Sequence, residues 1–60
     1  MVYKSVVTFE RDGSDPVVVR SEIVDSSPDS AARRAVFRAL PIISRTKYDS
    51  IVIVLDLVEG

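Results

Sequence analysis

Aspartate is the residue type through which this chain could most directly perform acid–base chemistry, because two carboxylates together supply a general acid and a general base. Aspartates stand at turns, beside a helix start and in the last strand: Asp12, Asp15, Asp25, Asp29 and Asp56. Each of these positions is explained by a turn, a cap or solvation. The stretch from Asp12 to Asp15 also lacks the twelve-residue pattern and final glutamate of a calcium loop. We therefore expect no catalytic carboxylate pair and no metal site.

The sequence contains few of the residues that nucleophilic catalysis needs. The 60 residues include no cysteine and no histidine, which excludes thiol and imidazole catalysis, disulfides and Cys/His zinc sites. Without histidine a serine nucleophile needs a lysine base, but we expect neither Lys4 nor Lys47 to belong to a Ser-x-x-Lys motif, and we expect the serines to act as caps and loop residues. Only two glycines are present, too few for a glycine-rich phosphate loop. The sequence predicts that the chain is not an enzyme and holds no cofactor.

Two arginines on a predicted helix are candidates for binding. Arg34 and Arg38 lie four residues apart, opposite the apolar stripe of that helix, and form a basic ridge that Arg45, Lys47 and Tyr48 could extend. Basic groups beside an aromatic ring can contact phosphates and stacked bases. The net charge of −1 does not favour a dedicated nucleic-acid binder. A solvated helix face and a protein contact are therefore the competing explanations.

Phe37 falls at the margin of the apolar stripe, beside Leu40. We expect its ring to cover the edge of the sheet above Ile42 or Ile43. If the ring is exposed instead, it is a candidate anchor for a partner, because aromatic residues and arginine dominate binding hot spots.

Residues of alternating character predict two strands that form a hairpin, at Val2 to Glu10 and Val17 to Val24. The residues between them have turn chemistry. Paired residues share a face of the sheet, so odd-numbered apolar residues must pair with odd-numbered ones. The loop should therefore have three, five or seven residues, and a two-residue Asp12-Gly13 turn is rejected.

A helix is predicted to follow, with Ser27 as N-cap and Pro28 at its first position. Pro41 should end it at Leu40, because a residue before proline avoids the helical conformation. The last strand runs from Ile51 to Glu59. The predicted apolar stripe of the helix is Ala32, Ala35, Val36, Ala39 and Leu40.

These elements predict a single α+β domain over residues 1–60, in which a three-stranded, mainly antiparallel sheet carries one helix on one face. The favoured strand order is 2-1-3, and the alternative is 3-2-1 with a parallel pair. The helix should cover the face with Tyr3, Val7, Phe9, Val17, Val19, Ile23, Ile51, Ile53, Leu55 and Leu57.

The opposite face of the sheet is the most informative surface for function. It carries seven valines around a few polar residues: Val2, Val6, Val18, Val24, Val52, Val54 and Val58. One helix cannot cover both faces, and this is more apolar surface than a solvated sheet normally exposes. We expect the face to be buried in an oligomer or against a partner, or to tolerate exposure.

The sequence as a whole predicts a non-enzymatic protein-interaction module that forms a homo-oligomer. Arginine outnumbers lysine six to two, a bias that fits a GC-rich bacterium or one of its phages but does not bear on mechanism. The hypothesis is a chain encoded by a phage or another mobile element that binds a host or self protein. A nucleic-acid-associated module is the alternative. The longest apolar run is too short to span a bilayer, and the first residues do not read as a signal peptide, so we expect a cytoplasmic protein without membrane contact.

Overall fold

The sheet has three antiparallel strands in the order β2-β1-β3, and one helix packs on one of its faces. The computed structural model describes residues 1–43 and 47–60. The strands are β1 (Val2–Glu10), β2 (Val17–Val24) and β3 (Ser50–Glu59), and the helix is α1 (Pro28–Ile43). The predicted α+β class, element order and favoured strand order are confirmed.

The hairpin between β1 and β2 has the register that its alternating pattern requires. Val7 pairs with Val19 and Phe9 with Val17, so seven residues separate the last pair. The Ser14 N–H donates to the Arg11 carbonyl across 3.4 Å. Gly13 between them has φ of 75°, a conformation that costs glycine little. The prediction of an odd loop length is confirmed.

The helix starts as predicted but ends later. The Ser30 N–H donates to Ser27 Oγ across 3.3 Å, which makes Ser27 the N-cap, and Pro28 is the first helical residue. The end predicted at Leu40 is wrong, because α1 continues through Pro41 to Ile43. Ile43 is only 2% exposed, and burial of its side chain offsets the backbone hydrogen bond that proline removes.

The buried stripe of α1 consists of small residues at spacings of four. Ala31, Ala35 and Ala39 are each at most 1% exposed, and Ile43 continues the stripe. The sequence places the predicted stripe too far toward the larger residues, since Ala32, Val36 and Leu40 are only half-buried. Because alanine projects little from the helix, α1 can approach the sheet closely along this line.

A pair of serines lies in the sheet beneath this region. Ser5 pairs with Ser21 across β1 and β2, and their Oγ atoms are 2.7 Å apart. Ser5 is 1% exposed, whereas Ser21 is half-buried. Around them the sheet contributes its large buried side chains: Tyr3, Val7, Phe9 and Ile23. The core therefore combines large residues on the sheet with small residues on the helix.

The two residues just before β3 contact the end of β1 and the hairpin loop. The Tyr48 ring packs edge-on against Phe9, with ring centroids 5.3 Å apart. The Asp49 N–H donates to the Glu10 carbonyl, and the Asp49 carboxylate accepts from the Asp12 N–H at 2.8 Å. These contacts start β3 in register with β1.

The helix covers less of the sheet than the sequence predicted. Residues of β1 and β2 on the helix side are buried or half-buried, and Leu55 of β3 also packs against the core. Ile51, Ile53 and Leu57 should be covered too, but they are 36%, 39% and 58% exposed. A single helix seated mainly over β1 and β2 leaves these three residues of β3 exposed and covers Leu55 only in part, so that part of the prediction is wrong.

The serine pair yields a stability prediction. Ser21→Ala should lower the free energy of unfolding by about 1–3 kcal/mol, because it leaves the buried Ser5 hydroxyl without its partner. Ser5→Ala should cost less, at most about 1 kcal/mol, because the half-buried Ser21 hydroxyl can turn toward water. Urea unfolding of both variants and of the double variant measures the difference. Equal costs for the two single changes would contradict this account of the pair.

Candidate interaction surface on the third strand

Apolar side chains are exposed on both faces of β3 and on the side of α1 that looks toward it. We call this set the β3 surface, and its members are 36% to 72% exposed: Phe37, Ile51, Val52, Ile53, Val54, Leu57 and Val58. β3 forms an outer edge of the sheet, since β1 is its neighbour on one side in the order β2-β1-β3. The surface therefore combines two apolar faces with backbone groups at a sheet edge.

A groove of about 250 Å³ lies between α1 and β3. It is lined by Ala32, Val36 and Phe37 from the helix and by Ile53 from the strand, with Arg33 at its side. Its exposed lining is apolar, and the Arg33 stem contributes carbon atoms to it. Such a groove can accept an apolar side chain from a partner.

Phe37 is the most exposed aromatic residue at this groove, at 72%. The expectation that its ring covers the sheet edge above Ile42 or Ile43 is wrong. Ile43 is buried in the core, and Ile42 is itself 64% exposed. Phe37 lies instead beside Ile53 in the groove. Because Ala31, Ala35 and Ala39 face the core, the side of the helix that carries Phe37 is turned toward β3.

The other face of the sheet carries the valines that the sequence predicted, but a charged row divides them. Cross-strand pairing places Lys4 opposite Glu22 on one side and opposite Asp56 on the other. Opposite charges at paired positions stabilise a sheet. The row separates two groups of valines: Val6, Val18, Val52 and Val54 lie on one side of it, and Val2, Val24 and Val58 on the other.

Val58 sits at an irregularity of β3. Tyr3 pairs with Leu57, whereas Val2 pairs with Glu59, so Val58 is an extra residue relative to β1. Strict alternation cannot foresee such a bulge. The even-numbered pattern on β3 therefore ends before Val58, and the strand changes direction near its end.

A shallow depression of about 440 Å³ lies along the charged row. Lys4 and Arg20 contribute positive charge to it, and Glu22 and Asp56 contribute negative charge. The two signs balance within a few side chains, so the depression does not present the one-sided field that would concentrate a charged ligand.

Two arginines of the predicted basic ridge bind groups at the end of β2 and just after it. Arg34 Nε lies 2.8 Å from Asp25 Oδ2, and Arg38 Nη1 donates to the Glu22 carbonyl across 2.8 Å. Lys47 is exposed, and Tyr48 is the residue that packs on Phe9. The two helix arginines are thus occupied with the end of β2 and the turn into α1, and nucleic-acid binding through this ridge stays a prediction. Arg45, its other predicted member, lies outside the described residues.

Asp25 connects the end of β2 to the first turns of α1. The Ser26 N–H donates to its carboxylate across 2.7 Å, and interactions with Ser30, Ser26 and Arg34 hold the pKa of Asp25 below its ordinary value, against the opposing effect of burial. The side chain is 8% exposed. A carboxylate next to a helix N-terminus is also favoured by the helix dipole.

The expectation that Lys47 belongs to no Ser-x-x-Lys motif is wrong. Ser44 and Lys47 stand at the Ser-x-x-Lys spacing of one class of acyl-transfer enzymes. The companion motifs Ser-Asp-Asn and Lys-Thr-Gly of that class do not occur in the sequence. Ser44 lies outside the described residues, and no site is built on this pair.

Residues 1–43 and 47–60 bring together no group of three potential carboxylate, histidine or cysteine ligands. The described helix is neither long enough nor apolar enough to cross a membrane. Comparison with protein-family models, curated proteins and solved structures finds no match for this chain.

Asp25 gives a pH-dependence prediction. A carboxylate with a lowered pKa in the fold stabilises it fully above the pKa of the unfolded chain, about 3.9, and loses that effect as the pH falls through the folded-state pKa. Asp25→Asn should therefore lower the unfolding temperature at pH 7, and the gap to the unsubstituted protein should close below about pH 4. Thermal unfolding followed by circular dichroism between pH 7 and pH 2 measures the gap.

Asp15→Asn in the exposed hairpin loop is the matched control, since it removes the same charge without these contacts. It should change the unfolding temperature little at any pH. A gap for Asp25→Asn that stays constant down to pH 2 would show that the carboxylate charge does not contribute.

Proposed function

We propose that this chain is a small, non-enzymatic protein-interaction module that acts as a homo-oligomer in the cytoplasm and binds through the β3 surface. The single observation that supports this most strongly is the exposure of β3 on both of its faces. Val52 and Val54 are 45% and 48% exposed on one face, and Ile53 and Leu57 are 39% and 58% exposed on the other. Monomeric proteins rarely leave so continuous an apolar patch in water.

The extent of the molecular surface supports burial by a partner. The chain exposes 4330 Å², whereas a folded monomer of its mass should expose about 3,900 Å². Its dimensions are 39 × 16 × 15 Å, and its radius of gyration is 11.9 Å, against about 10 Å for a compact domain of 60 residues. The elongated sheet, whose third strand is mostly not covered by the helix, accounts for this additional exposed surface.

The edge of β3 also favours a partner. Natural proteins protect edge strands by keeping them short, by proline, or by charges among the apolar residues. β3 has ten residues, contains no proline, and carries Asp56 as the one charge before its last residue. The run Ile51 to Leu55 combines high β-propensity with no charge, so it would aggregate if it were left unpaired.

The non-enzymatic part of the proposal rests on the sequence and on the pairing of charges. The chain has no histidine or cysteine. Glu22 and Asp56 flank Lys4 in the sheet, and Asp25 is tied to Arg34. The positions of Arg34 and Arg38 lend no support to the nucleic-acid alternative. A host protein as partner of a phage-encoded chain stays a prediction.

Charge substitution on the β3 surface tests the proposed function. The unsubstituted protein should be an oligomer at tens of micromolar in light scattering after gel filtration. Val54→Glu should shift it toward monomer, because it places a carboxylate among the apolar side chains of the β3 surface. Val24→Glu is the matched control, because Val24 lies on the same face at the far edge of the sheet and is 68% exposed.

The two variants separate an effect on assembly from an effect on folding. Val24→Glu should keep both the oligomer and the circular dichroism spectrum. A monomeric unsubstituted protein, with Val54→Glu equally stable, would contradict assembly through this surface. Equal loss of the oligomer in both variants would place the interface elsewhere.

A further inference from the structure

We propose that the occupant of the β3 edge is a second copy of this chain, paired antiparallel with it about a two-fold axis at Ile53. The inference rests on the proposed function and specifies its partner and its register. Two sheets of the order β2-β1-β3 would then join through their third strands into one six-stranded sheet, with both helices on the same face. This satisfies the edge groups of β3 in both copies.

The sequence of β3 is complementary to itself in this register. About an axis at Ile53, residue i faces residue 106 − i of the other copy. Ile51 then faces Leu55, and Val52 faces Val54, so apolar residues meet apolar residues on both faces of the sheet. Asp56 faces Ser50, whose hydroxyl can donate to the carboxylate.

Neighbouring registers bring unfavourable pairs. An axis at Val54 sets Asp56 opposite Val52, and an axis at Leu55 sets Asp56 opposite Val54 and Glu59 opposite Ile51. An axis at Asp56 places two carboxylates opposite each other, which is destabilising. An axis at Val52 shortens the paired segment. Among the axes that pair seven or more residues of β3, the Ile53 axis is the one that sets no charge opposite an apolar residue or another charge within the strand.

The groove beside α1 fits the same arrangement. Strands lie about 4.8 Å apart, so β1 of one copy and β1 of the other would be about 14 Å apart. Helices seated above them would be separated by more than the 8–10 Å of direct helix packing. Phe37 and Arg33 line the groove over Ile53 on each copy, so their side chains face the space between the two helices.

Engineered cysteines test the register, because the chain has none of its own. Residues paired across the axis have Cα atoms about 4.5–5.5 Å apart, within the range of a disulfide. Ile53→Cys should therefore link to itself under mild oxidation. Ile51→Cys and Leu55→Cys should not link alone, since each would lie about 13 Å from its own copy, but a mixture of the two should give a mixed dimer detected by mass.

The rate of disulfide formation distinguishes linking within a dimer from linking by random collision. Linking within the dimer proceeds at an effective concentration near millimolar, so it should be about a hundredfold faster than for Val24→Cys at tens of micromolar. If Ile53→Cys does not fold, the Ile51→Cys and Leu55→Cys mixture still reports the same register. Circular dichroism and light scattering of each variant verify fold and assembly.

Each outcome bears on a different part of the account. Self-linking of Leu55→Cys, or a mixed dimer of Ile51→Cys with Leu57→Cys, would overturn the Ile53 axis and leave a homo-oligomer through β3 intact. A dimer in which no β3 position links would overturn edge pairing. A monomeric unsubstituted protein in light scattering would overturn the proposed homo-oligomer as well.

Discussion

The close approach of α1 to β1 and β2 is the contact on which the rest of this structure depends. Ala31, Ala35 and Ala39 are the helix residues in that contact, and Ser5 is buried in the sheet with its hydroxyl satisfied by Ser21. Small side chains on the helix allow it to approach the sheet, where the large buried residues Tyr3, Val7, Phe9 and Ile23 lie. A chain of 60 residues without cysteine gains a packed core in this way.

The same contact leaves β3 uncovered. The helix is held toward β2 at its start by Arg34 and Asp25, and again by the bond from Arg38 to the Glu22 carbonyl. A helix held over that side of the sheet cannot also cover Ile53 and Leu57. The exposed third strand, the groove beside Phe37 and the elongated shape are therefore consequences of this one packing arrangement, and the proposed binding role of β3 rests on them.

Most of the fold could be predicted because it depends on local patterns. Period-two alternation predicted the strands, the face of every valine except Val58 and the odd length of the hairpin loop, and Ser27 with Pro28 predicted the helix start. The helix phase could not be read in the same way, because hydrophobicity favours Val36 and Leu40 whereas close packing selects Ala31 and Ala39. The exposure of Phe37 and of the helix-side residues of β3 depends on that phase, so the candidate site was predicted only in part. The bulge at Val58 depends on backbone geometry that alternation does not encode.

Amide hydrogen exchange on the two outer edges of the sheet tests the central claim most directly. β2 and β3 both lie at an edge of the three-stranded sheet, so in a monomer the outward amides of both exchange quickly. The account predicts that outward amides of Ile51 to Leu55 become protected as protein concentration rises from below to above the midpoint of assembly, while outward amides of β2 stay fast. Equal exchange at the two edges at every concentration would contradict a partner on the third strand.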